Sequence, residues 1–94
     1  MSRVEHEAGQ DRFVVRMDDG EAELSYLERS GRVLDLVHTF VPPEGRGQGV
    51  GDALVREAIE YAKANDYRLR PSCPFVRNWL EDHPEEAEVF VTGR

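Results

Sequence analysis

From Arg12 to Met17 the apolar side chains fall on every second position, with Phe13, Val15 and Met17 on one face, which is the period of a half-buried strand. Asp18, Asp19 and Gly20 then offer a tight hairpin turn. In the next stretch Ala22, Leu24 and Tyr26 point one way and Glu21, Glu23 and Ser25 the other, so a second strand with a solvated side is expected. Ser30 and Gly31 mark another turn. The run from Arg32 to Val41 is rich in β-branched and other apolar residues and poor in charge, as a central strand covered on both faces would be. Simple alternation along that run puts His38 on one face with Leu34, Leu36 and Phe40, in the core or in a pocket.

Pro42 and Pro43 end this third strand, because proline cannot donate to the ladder. From Val50 the period changes: Val50, Ala53, Leu54, Ala58, Tyr61 and Ala62 recur at three and four, with Asp52, Arg56, Glu57, Glu60 and Lys63 between them. This predicts an amphipathic helix over residues 50–64, with Asn65 as its left-handed stop. The stretch YRLRPSC reads as a short strand. After Pro74, Phe75, Val76, Trp79 and Leu80 sit at helical spacing up to a limit at Pro84. The tail EEAEVFVTGR fits a short helix or a strand. Three strands, a helix, a strand and a helix make an α+β protein in which helices layer a sheet. The helix between two strands makes their pairing parallel in an otherwise antiparallel sheet.

Ninety-four residues suffice for one domain with a single modest core, and residues 1–11 are expected to be a flexible lead-in. Hydrophobic residues at 39% and charged residues at 33% are an ordinary folded balance. The net charge of −7 argues against nucleic acid, whose backbone is held by Lys and Arg, and favours a cationic partner such as a polyamine or a protein lysine. No stretch is apolar enough for a membrane helix and the N-terminus is too polar for a secretory signal, so the expected compartment is the cytoplasm. The three histidines and one cysteine lack ligand spacing, and no metal is expected. Cys73 is either a buried small hydrophobe or a thiol with a task.

The candidate chemistry lies in PPEGRGQGVGDAL, residues 42–54, where glycines occupy positions 45, 47, 49 and 51. The dinucleotide fingerprint fails, since the sixth position from Gly45 is Val50, and the Gly-Lys-Ser/Thr triplet of the phosphate loop is absent. What remains is a strand, a loop free of bulky side chains and a helix N-terminus, whose N–H groups can converge on a phosphate or pyrophosphate. Arg46 adds a cation suited to phosphate oxygens.

The segment from Arg46 to Gly51 fits the pattern Arg/Gln-x-x-Gly-x-Gly/Ala, and it resembles the pyrophosphate loop of the GCN5-related N-acetyltransferases. The stretch HTFVPPEGRGQGVGDALVREAIEYA followed by PSCPFVRNWLEDHPEE is similar to the small single-domain members of that superfamily, of the YjdJ-like or NATD1-like kind. The likeness runs over residues 12 to 86, roughly. It implies a mixed, mostly antiparallel sheet with a strand-loop-helix site for acetyl-coenzyme A, and transfer of an acetyl group to an amine. It assigns the cofactor to His38, Thr39, Phe40 and Val41 on the strand end, and to Arg46, Gly47, Gln48, Gly49, Val50 and Gly51 in the loop and helix start. The cysteine of the Cys-Pro pair, here Cys73, takes the catalytic position, as a nucleophile or as a wall of the site. Where some relatives carry a glutamate base this chain has Phe40, which accepts no proton. A coenzyme A sensor without turnover is the alternative reading.

Overall fold

The computed structural model describes residues 3–18 and 20–91. Asp19, in the expected first turn, and residues 92–94 of the tail lie outside the described residues. The chain runs through β1 (Glu5–Glu7), β2 (Arg12–Met17), β3 (Gly20–Arg29), β4 (Val33–Phe40), α1 (Val50–Ala64), β5 (Arg68–Pro71) and α2 (Pro74–Asp82), with short 3-10 turns at Ala8–Gln10, Pro43–Gly45 and Pro84–Val89. The strands form one sheet in sequence order. The first four pair antiparallel, and β5 joins β4 in parallel because α1 carries the chain back across the sheet.

One face of the sheet carries the core. Phe13, Leu24, Leu34, Leu36 and Leu69 are fully buried there against Leu54, Val55, Ala58 and Ala62 of α1 and Val76 of α2. The helix spans the expected residues because its buried positions repeat at three and four, and removing a side chain such as Leu54 is expected to cost about 2–5 kcal/mol. Its stop differs from expectation. Asn65 has φ −121°, and the left-handed residue is Asp66 at φ 61°, so the chain reverses one residue later.

Residues 1–11, expected to be flexible, include the edge strand β1. Its pairing with β2 explains a second departure, the full burial of Val14 on the face away from the helices. Arg12 binds Glu7 at 2.7 Å, Glu23 at 2.8 Å and Glu21 at 3.1 Å, and Arg16 binds Glu5, Glu7 and Glu21. These side chains lie on the face of β1, β2 and β3 that carries Val14. Alternation alone reads Val14 as solvated; the third strand and its ionic cover bury it.

The tail resolves as a 3-10 turn followed by a bridge between Phe90 and Leu69, with Val91 N–H donating to Leu69 O at 2.8 Å. Phe90 closes the core beside β5. No helix among the described residues is long and apolar enough to cross a membrane.

Candidate functional site

The register between β3 and β4 slips at one place. Tyr26 faces Leu36 and Ser25 faces His38, which leaves Val37 without a partner on β3. Such an extra residue reverses the alternation beyond it. Leu34 and Leu36 point into the core, and Thr39, opposite the buried Leu24, follows them. His38 and Phe40 turn to the other face with Ser25 and Glu23. The expectation that His38 shares a face with Leu34 and Leu36 is therefore corrected: His38 is exposed and on the uncovered side.

The other edge of β4 opens at the same level. Parallel pairing with β5 ends at Leu36 and Pro71, after which Cys73 N–H donates to Leu36 O at 2.9 Å and Pro74 starts α2. Among the described residues no strand pairs with β4 from Val37 to Phe40 on that side. The chain diverges here into a notch, with β4 on one side and the start of α2 on the other.

A cleft of about 470 Å³ begins at this notch. Thr39, Phe40 and Val41 line it from the strand, Gly45, Arg46, Gly47 and Gly49 from the loop, Val50, Gly51 and Asp52 from α1, and Phe75 from α2. His38 and Gln48 do not line it. Gln48 turns back into its own loop, where Nε2 donates to Glu44 O at 2.8 Å.

The loop's shape needs its glycines. Gly47 and Gly49 have φ of 79° and 78°, a conformation that L side chains rarely adopt. Gly49 precedes the first turn of α1, and no side chain caps that turn. The first N–H groups of the helix thus lack the acceptor a Ser or Asp cap supplies, and the helix dipole concentrates partial positive charge there. Arg46 adds a full charge: its Nε donates to Val41 O at 3.0 Å, which ties the guanidinium to the end of β4. Its terminal nitrogens have no protein partner among the described residues.

Asp52 brings a carboxylate to the same cleft, and two neighbours hold it. Trp79 Nε1 donates to Oδ1 at 2.8 Å and Arg56 Nε donates to Oδ2 at 3.0 Å. Burial pushes the carboxyl up, yet these two hydrogen bonds outweigh it and hold the group below its ordinary range.

Cys73 is buried at 5% exposure, immediately before α2. Its Sγ lies 3.3 Å from Thr39 Oγ1, and among the described residues no imidazole, amine or carboxylate contacts it. The structure therefore joins Cys73 to the cleft through Thr39, on the inner side of the notch.

Three lining residues escape the sequence reading. Gly45 has a packing role: a Cβ there would stand 2.6 Å from Met17 Cε. Asp52 reads as one more charge on a helix surface. Phe75 reads only as one of the apolar residues at helical spacing after Pro74, and in the structure it is 41% exposed and leans over Gly51, where a Cβ would stand 2.5 Å from its ring. The signal available was Gly51 itself, a glycine inside a helix with no bend to make.

Residues 12–89 match the family described as GCN5-related N-acetyl-transferase. Protein NATD1 of Bos taurus is 31% identical over 84 residues, and that of Homo sapiens 30%; both alignments take in 87% of this chain and 74% of the relative. The solution NMR structure of a GCN5-like protein from Staphylococcus aureus superposes with a TM-score of 0.77 at 28% identity, over 100% of this chain and 94% of that one.

Proposed function

Since the chain belongs to the GCN5-related N-acetyltransferase family and is an acyltransferase, we propose that it moves an acetyl group from acetyl-coenzyme A to an amine. The observation that carries this reading is the uncapped start of α1 behind Gly47 and Gly49, with Arg46 tied beside it, in a cleft that continues to the open edge of β4.

The donor set suits a pyrophosphate. Backbone N–H groups at a helix N-terminus bind anions without an ordering cost, and Arg46 opposes the second charge. Substituents at Gly47 and Gly49 would meet nothing within 4 Å, so the loop leaves space in front of its backbone. Beyond Leu36 no strand among the described residues pairs with β4 on the β5 side, and an extended chain bearing amides can use that edge as a neighbouring strand would. Phe40 and Phe75 give the cleft apolar walls.

When bound, acetyl-coenzyme A supplies the activated thioester. The protein's part is to fix its position and to keep the notch clear for the amine, since holding two reactants in place removes much of the barrier. Cys73 serves in this reading as a wall of the notch, because its one described side-chain hydrogen bond is to a hydroxyl that is no base.

The test is amine-dependent release of free thiol from acetyl-coenzyme A, with the acetylated amine identified by mass. Cys73→Ala is expected to keep turnover, and no acetyl-cysteine is expected in the wild-type protein. Binding without any transfer to a broad set of amines would instead support a coenzyme A sensor.

A further inference from the structure

The transfer proposed above needs an amine without its proton, and most alkylamines carry one at neutral pH. Around the notch the candidates for taking it are few. Cys73 is buried with its sulfur on Thr39. Asp35, the buried carboxylate of β4, receives hydrogen bonds from Ser72 Oγ and Arg29 Nε. Glu23 is held by Arg12 and Asp52 by Trp79 and Arg56, and Phe40 has no acid-base chemistry.

His38 remains. The unpaired Val37 turns its imidazole to the face opposite the core, where it is exposed and has no side-chain hydrogen bond among the described residues. It is the neighbour of Thr39, whose hydroxyl touches Cys73. Imidazole and thiol therefore stand on opposite sides of the open β4 edge. Both helices pack on the core face, so the approach to His38 is not covered by either of them.

We infer that the acceptor amine enters from this uncovered face and that His38 takes its proton. The inference rests on the acetyltransferase reading. His38 removes one proton from the ammonium. The amine nitrogen then bonds to the acyl carbon as the carbon–sulfur bond breaks, the departing sulfur takes the nitrogen's second proton, and His38 releases the first to water. Imidazole suits the task because a ring nitrogen can take up a proton and release it again.

On the same face, the row across the sheet from His38 runs through Ser25 to Arg12, and the next row holds Phe40 and Glu23. Arg12 and Arg16 are outnumbered by Glu5, Glu7, Glu21 and Glu23 in their shared network. From the other side Asp35 is paired with Arg29 and Ser72, and Arg70 lies opposite it on β5. Glu23, opposite Phe40 and one row along from His38, places a carboxylate beside the approach of an ammonium.

The experiment compares wild type with His38→Gln on the pH dependence of kcat/KM, using an alkyl diamine as acceptor, and on acetyl-coenzyme A binding by calorimetry. The inference predicts unchanged binding and a loss of about 100-fold in kcat/KM at neutral pH. The variant's kcat/KM should rise only as the free amine loses its own proton, at higher pH than the wild type's does. Superimposable profiles would overturn the inference while leaving the acetyltransferase reading intact, and loss of acetyl-coenzyme A binding in the variant would overturn it too. A wild-type protein that binds no acetyl-coenzyme A would overturn that reading, and this inference with it.

Discussion

The indole N–H of Trp79 donates to Asp52 Oδ1 at 2.8 Å, which fastens the second helix to the first turn of the helix that opens at the glycine loop. Arg56 reaches the same carboxylate and also lies over the indole ring, 5.3 Å from its centroid. Asp52→Ala leaves a nearly buried N–H without its acceptor, at a cost of about 1–3 kcal/mol. A clear fall in Tm is the expected outcome. Because the folded carboxyl is held below its ordinary value of 3.8, its contribution is present above that pH and is lost as the pH falls through the lower, folded value. Asp52→Asn should lack this acid dependence, which thermal melts between pH 6 and pH 3 would show.

His6 gives a pH dependence in a different range. Its Nε2 lies 2.6 Å from the hydroxyl of Tyr26, and its ring stacks on Phe13 at 4.3 Å. Burial pushes the Tyr26 hydroxyl up to about 12, so the phenol stays protonated and donates to neutral His6. Burial also lowers His6 from 6.5, ahead of the opposing pull of Glu57 and Asp11. The unfolded chain therefore binds the proton first as the pH falls, and the stability that neutral His6 gives is present above 6.5 and is lost below it. Between pH 7.5 and pH 5.5 the wild type should lose more Tm than His6→Gln does. Equal losses would contradict the account.

How the chain announces these features is uneven. The helix from Val50 to Ala64 is legible because burial on one side forces a 3.6-residue period. The glycine loop is legible because positive φ leaves glycine as the default residue. The side to which His38 points is not, since one unpaired residue at Val37 inverts everything after it and no residue type marks a bulge of this kind. Val14 is hidden for a related reason: its cover comes from β1, a three-residue strand in a polar lead-in whose pairing is a tertiary fact. The place of Phe75 is hidden because helical spacing shows only which residues share a face, and it faces the cleft.

Gly51 separates folding from binding. It lies in the first turn of α1 with helical φ, so Ala there is favoured by helix propensity by roughly 0.5–1 kcal/mol. The added Cβ would meet the tip of the Phe75 ring at 2.5 Å, and that half-exposed ring can swing aside. Gly51→Ala should therefore keep or raise Tm while weakening acetyl-coenzyme A binding by about tenfold, or about 1.4 kcal/mol. Adding Phe75→Ala should recover part of that loss. A variant that binds as the wild type does would show that Phe75 is no wall of the site.

The most direct test of the central claim is calorimetric titration of acetyl-coenzyme A into the wild-type protein and into Arg46→Ala. The Arg46 side chain is exposed and its one described hydrogen bond is to Val41 O, so the variant should fold unchanged. Saturable binding to the wild type, weakened by about tenfold in the variant, is the predicted result, equal to about 1.4 kcal/mol. No binding by the wild type, or equal binding by both proteins, would contradict the account that the glycine loop and Arg46 hold the pyrophosphate.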